Sequence, residues 1–281
     1  MMAVSSASLA QNIATEIRAT EAAPGFYMLD GANGFMSNMA LMIGDERVLL
    51  IDDGMAPISA DLAATIVELG GRPADFMVNT HVHGDHVGSN AVLAEDGTII
   101  LAHDNIRKRL VEKPEDAGGT AGLPVITFND SVTFHANGDE AFVFHVETAH
   151  TDGDAVIHFR NANVIVAGDL HFNYMFPFID LDSGGTVEGY ISGQRRIIDL
   201  ADDNTVIIPG HGPLASKEDL KAAKDMLVNA RDKVKALIHR GLSQEEILEA
   251  NPLADYHDTW NWGFITTERM TNTMYRSLTQ D

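Results

Sequence analysis

The chain contains no cysteine. Disulfide bridges, cysteine-ligated zinc and thiol nucleophiles are therefore excluded. The compartment stays open, because a chain without thiols suits reducing and oxidising spaces equally. Cations are also scarce: 19 Lys plus Arg stand against 41 Asp plus Glu, a formal charge of -22 with a pI near 4.7. Such a surface repels phosphate backbones and anionic lipid, so a small molecule is a better partner than nucleic acid or a membrane. No apolar run reaches the roughly 18–20 residues that a membrane helix needs. Repeats and low-complexity blocks are missing too. What remains is ordinary globular material, 281 residues with 45% hydrophobic side chains, enough to bury a sizeable core.

The first residues give a divided signal. Ser8-Leu9-Ala10 has the small-x-small pattern of a secretory cleavage site, without the cationic start and apolar stretch that normally precede one. Residues 1–20 read either as a signal-peptide remnant or as a flexible tail. A periplasmic location follows if a signal peptide preceded Gln11, a cytoplasmic one otherwise. Further on, strand-like runs stand at Phe26–Leu29, Met39–Ile43 and Arg47–Ile51, the last two joined by a Gly44-Asp45-Glu46 turn. Pro57 opens a helical stretch over Ile58–Leu69, stopped by Gly70-Gly71. A strand at Ala74–Val78, a helix from Gly88 to about Leu93, a strand at Ile99–Ala102 and a helix at Asp104–Val111 follow. Lys113–Gly122, rich in Pro, Gly and acids, reads as a mobile surface loop.

The middle third is β-rich, with runs at Val125–Phe128, Ser131–Phe134, Ala141–Glu147, Asp154–Phe159 and Val164–Ala167. A helix over Val187–Leu200 and a strand at Thr205–Ile208 come next. From Ser216 the chain reads as helical, broken at Gly241 and Pro252. Blocks of strands alternating with helices predict an α/β protein with two sheets and helices outside them. Residues 21–215 form the expected catalytic domain. Residues 216–281 form a helical extension packed on it, and that extension could also serve as a cap or a dimer surface.

The densest chemical signal is His81-Val82-His83-Gly84-Asp85-His86. His81 and His83 point the same way in extended chain. Gly84 permits the turn that returns Asp85 and His86 towards them. Imidazole nitrogens with a carboxylate oxygen suit zinc and its neighbours. Three more donors stand after strand-like runs, beside glycine-containing turns: His150, Asp169 and His211. Seven donors are too many for one zinc and fit two.

In order and spacing, this set resembles the metallo-β-lactamase superfamily, as does Leu50-Ile51-Asp52-Asp53-Gly54 at a strand end. The resemblance covers roughly Gly25 to Pro213. It implies an αββα sandwich with the site at one edge, and a di-zinc hydrolase whose nucleophile is a metal-activated water. It also implies that His81, His83 and His150 hold one Zn2+, that Asp85, His86 and His211 hold the other, and that Asp169 bridges them. Asp85 is assigned a second task, orienting the water and passing a proton on. Asp52 is expected to hydrogen-bond near the motif loop.

The substrate is less legible. Zinc β-lactamases of the best-known kind carry a cysteine where Asp169 stands and a lysine three residues later, which grips the drug's carboxylate; here that position is Phe172. Glyoxalase-type thioesterases share the aspartate but follow it with a glycine-cysteine-glycine-arginine segment. Lactone hydrolases place a tyrosine three residues on, whereas Tyr174 is five on. The expectation is hydrolysis of a carbonyl ester or cyclic amide, most specifically a β-lactam, with a thioester or lactone as the alternative. Asn173, Tyr174 and His171 are the expected substrate contacts. The aromatic segment His171–Phe178 reads equally as core or as pocket wall. Trp260, Trp262 and Phe264 read as core or dimer contacts. His103, His135, His145, His158, His239 and His257 read as structural. A di-iron redox protein and a non-catalytic metal binder are the rivals from other classes, and a homodimer stays open.

Overall fold

A computed structural model describes residues 16–31 and 37–280; the pattern at Ser8–Ala10 lies outside them. One sheet takes seven strands in chain order: β1 (Ile17–Ala23), β2 (Phe26–Gly31), β3 (Met39–Ile43), β4 (Val48–Ile51), β5 (Phe76–Val78), β6 (Ile99–His103) and β7 (Ile126–Phe128). Pairing is antiparallel from β1 to β4 and parallel from β4 to β7. The second sheet contains β8 (Ser131–Ala136), β9 (Asp139–His145), β10 (Ala155–Phe159), β11 (Val164–Phe172) and β12 (Val206–His211), ordered β12-β11-β10-β9-β8. Only β11 and β12 run parallel there. Parallel neighbours need crossover connections. Helices α1 (Ser59–Gly70), α2 (Gly84–Val87), α3 (Asn90–Glu95) and α4 (Asp104–Glu112) lie in the crossovers of the first sheet. Helix α5 (Val187–Leu200) joins β11 to β12, and α6 (Lys217–His239), α7 (Gln244–Ala250), α8 (His257–Trp260) and α9 (Thr267–Thr279) follow.

Strand alternation distributes the apolar side chains over separate layers. In β4, Leu49 and Ile51 join the core between the sheets, with Val143, Ile157 and Val166 opposite. Val48 and Leu50 face the other way and pack under Leu62 and Ile66 of α1. The second sheet repeats the pattern: Val156 and Ile165 turn outward to Ile197 of α5. The result is the αββα sandwich. The C-terminal helices share a further apolar cluster with the segment after β11, where Leu227, Ala230 and Met274 pack with Phe176, Ile179 and Tyr190. Among the described residues no helix is long and apolar enough to cross a membrane.

Four elements differ from the sequence reading. Residues 17–20, placed in the tail, belong to β1, which pairs with β2 although most of its residues are exposed; an edge strand without apolar alternation gives little sequence signal. Lys113–Gly122 is two 3-10 turns, not a mobile loop: Ala117 is buried and the Gly122 carbonyl accepts from Asn90 Nδ2. The helix expected at Gly88–Leu93 is split, with α2 beginning at Gly84. Strands β11 and β12 run on to Phe172 and His211, so Asp169 sits inside a strand.

Truncating the fully buried Leu227 to alanine leaves a cavity between α6 and the rest of its cluster. Leu227→Ala is expected to lower unfolding stability by about 2–5 kcal/mol in a urea titration.

Candidate metal centre and its pocket

All seven expected donors converge at one edge of the sandwich. His81, His83, His150 and Asp169 form one group, and Asp85, His86 and His211 a second; within each, the potential ligand atoms lie within 4.8 Å of one another. Asp169 touches both. Its Oδ2 lies 3.3 Å from His150 Nε2 and 3.6 Å from His81 Nε2, and its Oδ1 lies 3.2 Å from His86 Nε2 and 3.5 Å from His211 Nε2. Asp85 Oδ2 is 3.4 Å from His211 Nε2 and 3.7 Å from His86 Nε2.

Local backbone explains the convergence. Asp52 ends β4 with a left-handed backbone, φ 59°, an unfavourable conformation for a non-glycine residue that the surroundings must hold. Its carboxylate then accepts from the Thr80 amide, the Thr80 hydroxyl and His86 Nδ1, each at 2.7 Å. The motif loop and one imidazole are thus tied to β4. Near Asp169, β11 has a register shift at Gly168, and a Cβ on Gly168 would press against Thr80. A Cβ on Gly210 would collide with Asp169 Oδ1, so only glycine lets β12 pass so closely. His150 is set by Asp154, whose Oδ2 accepts from the His150 and Thr151 amides.

Four of the five donor imidazoles have a partner on the other side of the ring, His86 through Asp52. His150 Nδ1 lies 2.7 Å from the Phe178 carbonyl, His81 Nδ1 3.0 Å from Thr80 Oγ1, and His83 Nε2 2.9 Å from Asp180 Oδ2. Such partners fix the tautomer and aim the free nitrogen inward. Asp180 is held in turn by the Asp182 and Ser183 amides. The inward atoms His81 Nε2, His86 Nε2 and Asp169 Oδ1 are buried without a hydrogen bond. Buried polar atoms normally find one. Three of them aimed at one space, with imidazole and carboxylate chemistry, fit a pair of divalent cations.

Electrostatics agree. Burial works against the Asp169 charge, but His86, His211, His81 and His150 around it hold its carboxyl well below the usual range. Burial likewise opposes ionised Asp85, yet His86 and His211 keep it at about 2. Burial lowers His211, but Asp169 and Asp85 outweigh that and lift it to about 9.

A cavity of about 780 Å3 opens on this centre, lined by His83, Asp85, Asp169 and His211 on one side and by Phe172, Phe178, Trp262 and Phe264 on the other. The three expected substrate contacts are not in this lining. Asn173 is buried and its amide donates to the Pro213 and Leu214 carbonyls. Tyr174 is exposed and its hydroxyl donates to Asp219. His171 is fully buried and outside the lining; β11 is irregular between Gly168 and Phe172, so that Asp169 and Phe172, three residues apart, both line the cavity. The segment His171–Phe178 divides: Phe172 and Phe178 are wall, Phe176 is core. Trp260 is core as expected, but Trp262 and Phe264 are wall. The loop between α8 and α9 folds back onto the segment after β11, with Trp262 Nε1 donating to the Phe176 carbonyl and the Phe176 amide to Trp260.

The family model for the metallo-beta-lactamase superfamily matches residues 32–211. The chain belongs to the metallo-beta-lactamase superfamily. Among curated relatives, it is 23% identical over 181 residues to the alpha subunit of 2,4-dinitroanisole O-demethylase from Nocardioides sp., covering 64% of this chain. The chain spans only 53% of that relative's length. Among solved structures, a metallo-beta-lactamase from Pontibacter korlensis superposes with a TM-score of 0.65 at 18% identity, over 76% of this chain and all of the other. A double mutant of a sec-alkyl sulfatase superposes with a TM-score of 0.71 at 16% identity, over 94% of this chain and 50% of the other. Membership of the metallo-beta-lactamase superfamily and the donor set together support a binuclear, metal-dependent hydrolase.

Relative to the superfamily's motif residues, sequence reading missed Asp180, Trp262 and Phe264. Asp180 has no motif around it, and only the fold of the 173–186 segment brings it to His83. Trp262-Gly263-Phe264 left a trace, an aromatic pair around a glycine beyond the Pro252 break.

Losing a partner of this kind typically costs 10–100-fold in metal affinity. Asp180→Ala is expected to weaken the His83 group and Asp52→Asn the His86 group. Elemental analysis after mild chelation should show each variant falling from two metals towards one. His211, lifted to about 9 when no metal is bound, is a ligand only once deprotonated. Metal affinity should therefore rise with pH up to about that value, and zinc uptake in weak buffer near neutral pH should release protons. A pH-independent affinity would contradict this.

Proposed function

We propose that the chain hydrolyses a carbonyl ester or cyclic amide of a small molecule, with two zinc ions as its cofactor. One observation carries the reading: a two-group donor set, bridged by one buried carboxylate, opens directly on a cavity large enough for a small molecule. His81, His83 and His150 would hold one ion and Asp85, His86 and His211 the other, with Asp169 between. Bound there, the ions would supply Lewis acidity and an acidified water.

The protein's own groups do the rest. Asp85 is partly exposed to the cavity and is held ionised, with a pKa of about 2. At neutral pH it is a hydrogen-bond acceptor that orients the attacking water, and only a transient proton carrier to the leaving group. The aromatic wall limits bulk water beside the reacting bond, which strengthens every charge interaction there.

Within this class, an ester, thioester or lactone is favoured over a β-lactam. The β-lactamase lysine that grips the drug's carboxylate has no counterpart, since Phe172 stands at its position and no Lys or Arg is among the cavity's lining residues. The sulfatase neighbour's name suggests sulfate esters, and the same lack of a cation speaks against them.

Protein purified without chelator should carry two metals per chain and turn over at least one of an aryl ester, a lactone and a thioester, with weak or no turnover of a β-lactam. Asp85→Asn should lower turnover by roughly 100-fold or more. Two bound metals with no turnover of any carbonyl substrate would overturn the proposal.

A further inference from the structure

The cavity wall has a continuity of its own. Starting on one metal group, the His211 ring stacks on Phe172 at 4.7 Å and 16°. Phe172 meets Trp262 at 6.2 Å, Trp262 meets Phe264 at 5.6 Å and Phe264 meets Phe178 at 5.5 Å. Phe178 then meets His83 at 5.6 Å, on the other metal group. An unbroken arc of aromatic rings thus runs from a donor of one group to a donor of the other. A molecule whose reacting bond lies between the two groups would rest against this arc on the side that faces the wall.

The arc offers no charge partner. Among the described residues no lysine or arginine lines the cavity, and its carboxylates, Asp85 and Asp169, are donors of the centre. Arg269 is not in the lining, but it packs on two of the wall rings: its guanidinium lies 4.1 Å from the Phe264 ring centroid and 5.3 Å from that of Phe178, and Nη1 donates to the Phe264 carbonyl. A carboxylate carried away from the reacting bond would be desolvated against ring faces whose quadrupole is negative. An aromatic or apolar group would instead stack there.

We propose that the substrate is an uncharged ester or lactone bearing an aromatic or bulky apolar group, and that Phe264, delivered by the loop between α8 and α9, is a specificity-determining residue. This names the substrate class of the hydrolase proposed above and rests on that reading. The α6–α9 region then has a defined task. It is the part of the chain that closes the wall, through Trp262 and Phe264, while contributing no metal donor.

The test uses the metal-loaded full chain and a matched pair, phenyl acetate and its ring-carboxylated analogue, which share the scissile bond. Binding is read by quenching of the Trp260 and Trp262 fluorescence, and hydrolysis by product release. The neutral ester is expected to bind and react at least about tenfold better, the scale of one lost or gained aromatic contact of about 1.4 kcal/mol. Phe264 is half exposed, so its replacement spares the core. Phe264→Ala should raise KM for the neutral ester severalfold with metal content unchanged, and Phe264→Arg should shrink or reverse the preference within the pair. Equal or tighter binding of the carboxylated ester, or an unchanged preference in Phe264→Arg, overturns the inference. Preferential binding of the neutral ester without hydrolysis supports the substrate class and counts against the hydrolase reading instead, so the two failures are distinguishable.

Discussion

Asp169 is a buried carboxylate at the cavity floor with four imidazole nitrogens between 3.2 and 3.6 Å from its oxygens. Packing so many donors into one buried spot is costly unless cations balance them. The surrounding fold is organised to impose it. Strand β11 shifts register just before the aspartate, β12 passes it as bare glycine, and Asp52 adopts a left-handed backbone to hold Thr80 and His86. These are local sacrifices of pairing, side chain and backbone comfort. They concentrate where the chemistry is, and the two sheets and five apolar clusters of the sandwich and extension supply the stability that tolerates them.

How much of this could be read from the residues depends on the range of the contacts. Four donors sit within His81–His86, and a single loop geometry makes them neighbours, so their pattern is visible without a fold. His150, Asp169 and His211 were legible because each follows a strand-like run of the sequence with a glycine nearby, although Asp169 lies inside β11. Strand β4 was legible because Val48 to Ile51 are all apolar between turn residues. Asp180 was not, since nothing local distinguishes it from other surface acids; its role exists only after 97 residues of chain have folded it back to His83.

The substrate contacts were misjudged for a related reason. Distance along the chain from Asp169 was a poor guide to distance from the cavity. The strand continues past Asp169 to Phe172 with an irregular register that leaves Phe172 in the cavity lining and His171 buried outside it, and the next turn carries Asn173 and Tyr174 onto hydrogen bonds of their own. The actual wall includes residues about ninety positions later. Aromatic residues in a helical extension are read as packing by default; Trp260 obeys that rule, and Trp262 two residues on packs against the same cluster while also lining the cavity.

The loop between α8 and α9 is held by hydrogen bonds to Phe176 and within itself, and these involve no donor of the centre. Part of the cavity wall, Trp262 and Phe264, therefore comes from a stretch of the chain that carries none of the seven donors. Substitutions at 262–264 can reshape the cavity without moving a donor atom, whereas almost any change around Asp52, Gly168 or Gly210 disturbs the donors first. A chain built this way can drift between substrates over evolutionary time while its reaction chemistry stays fixed.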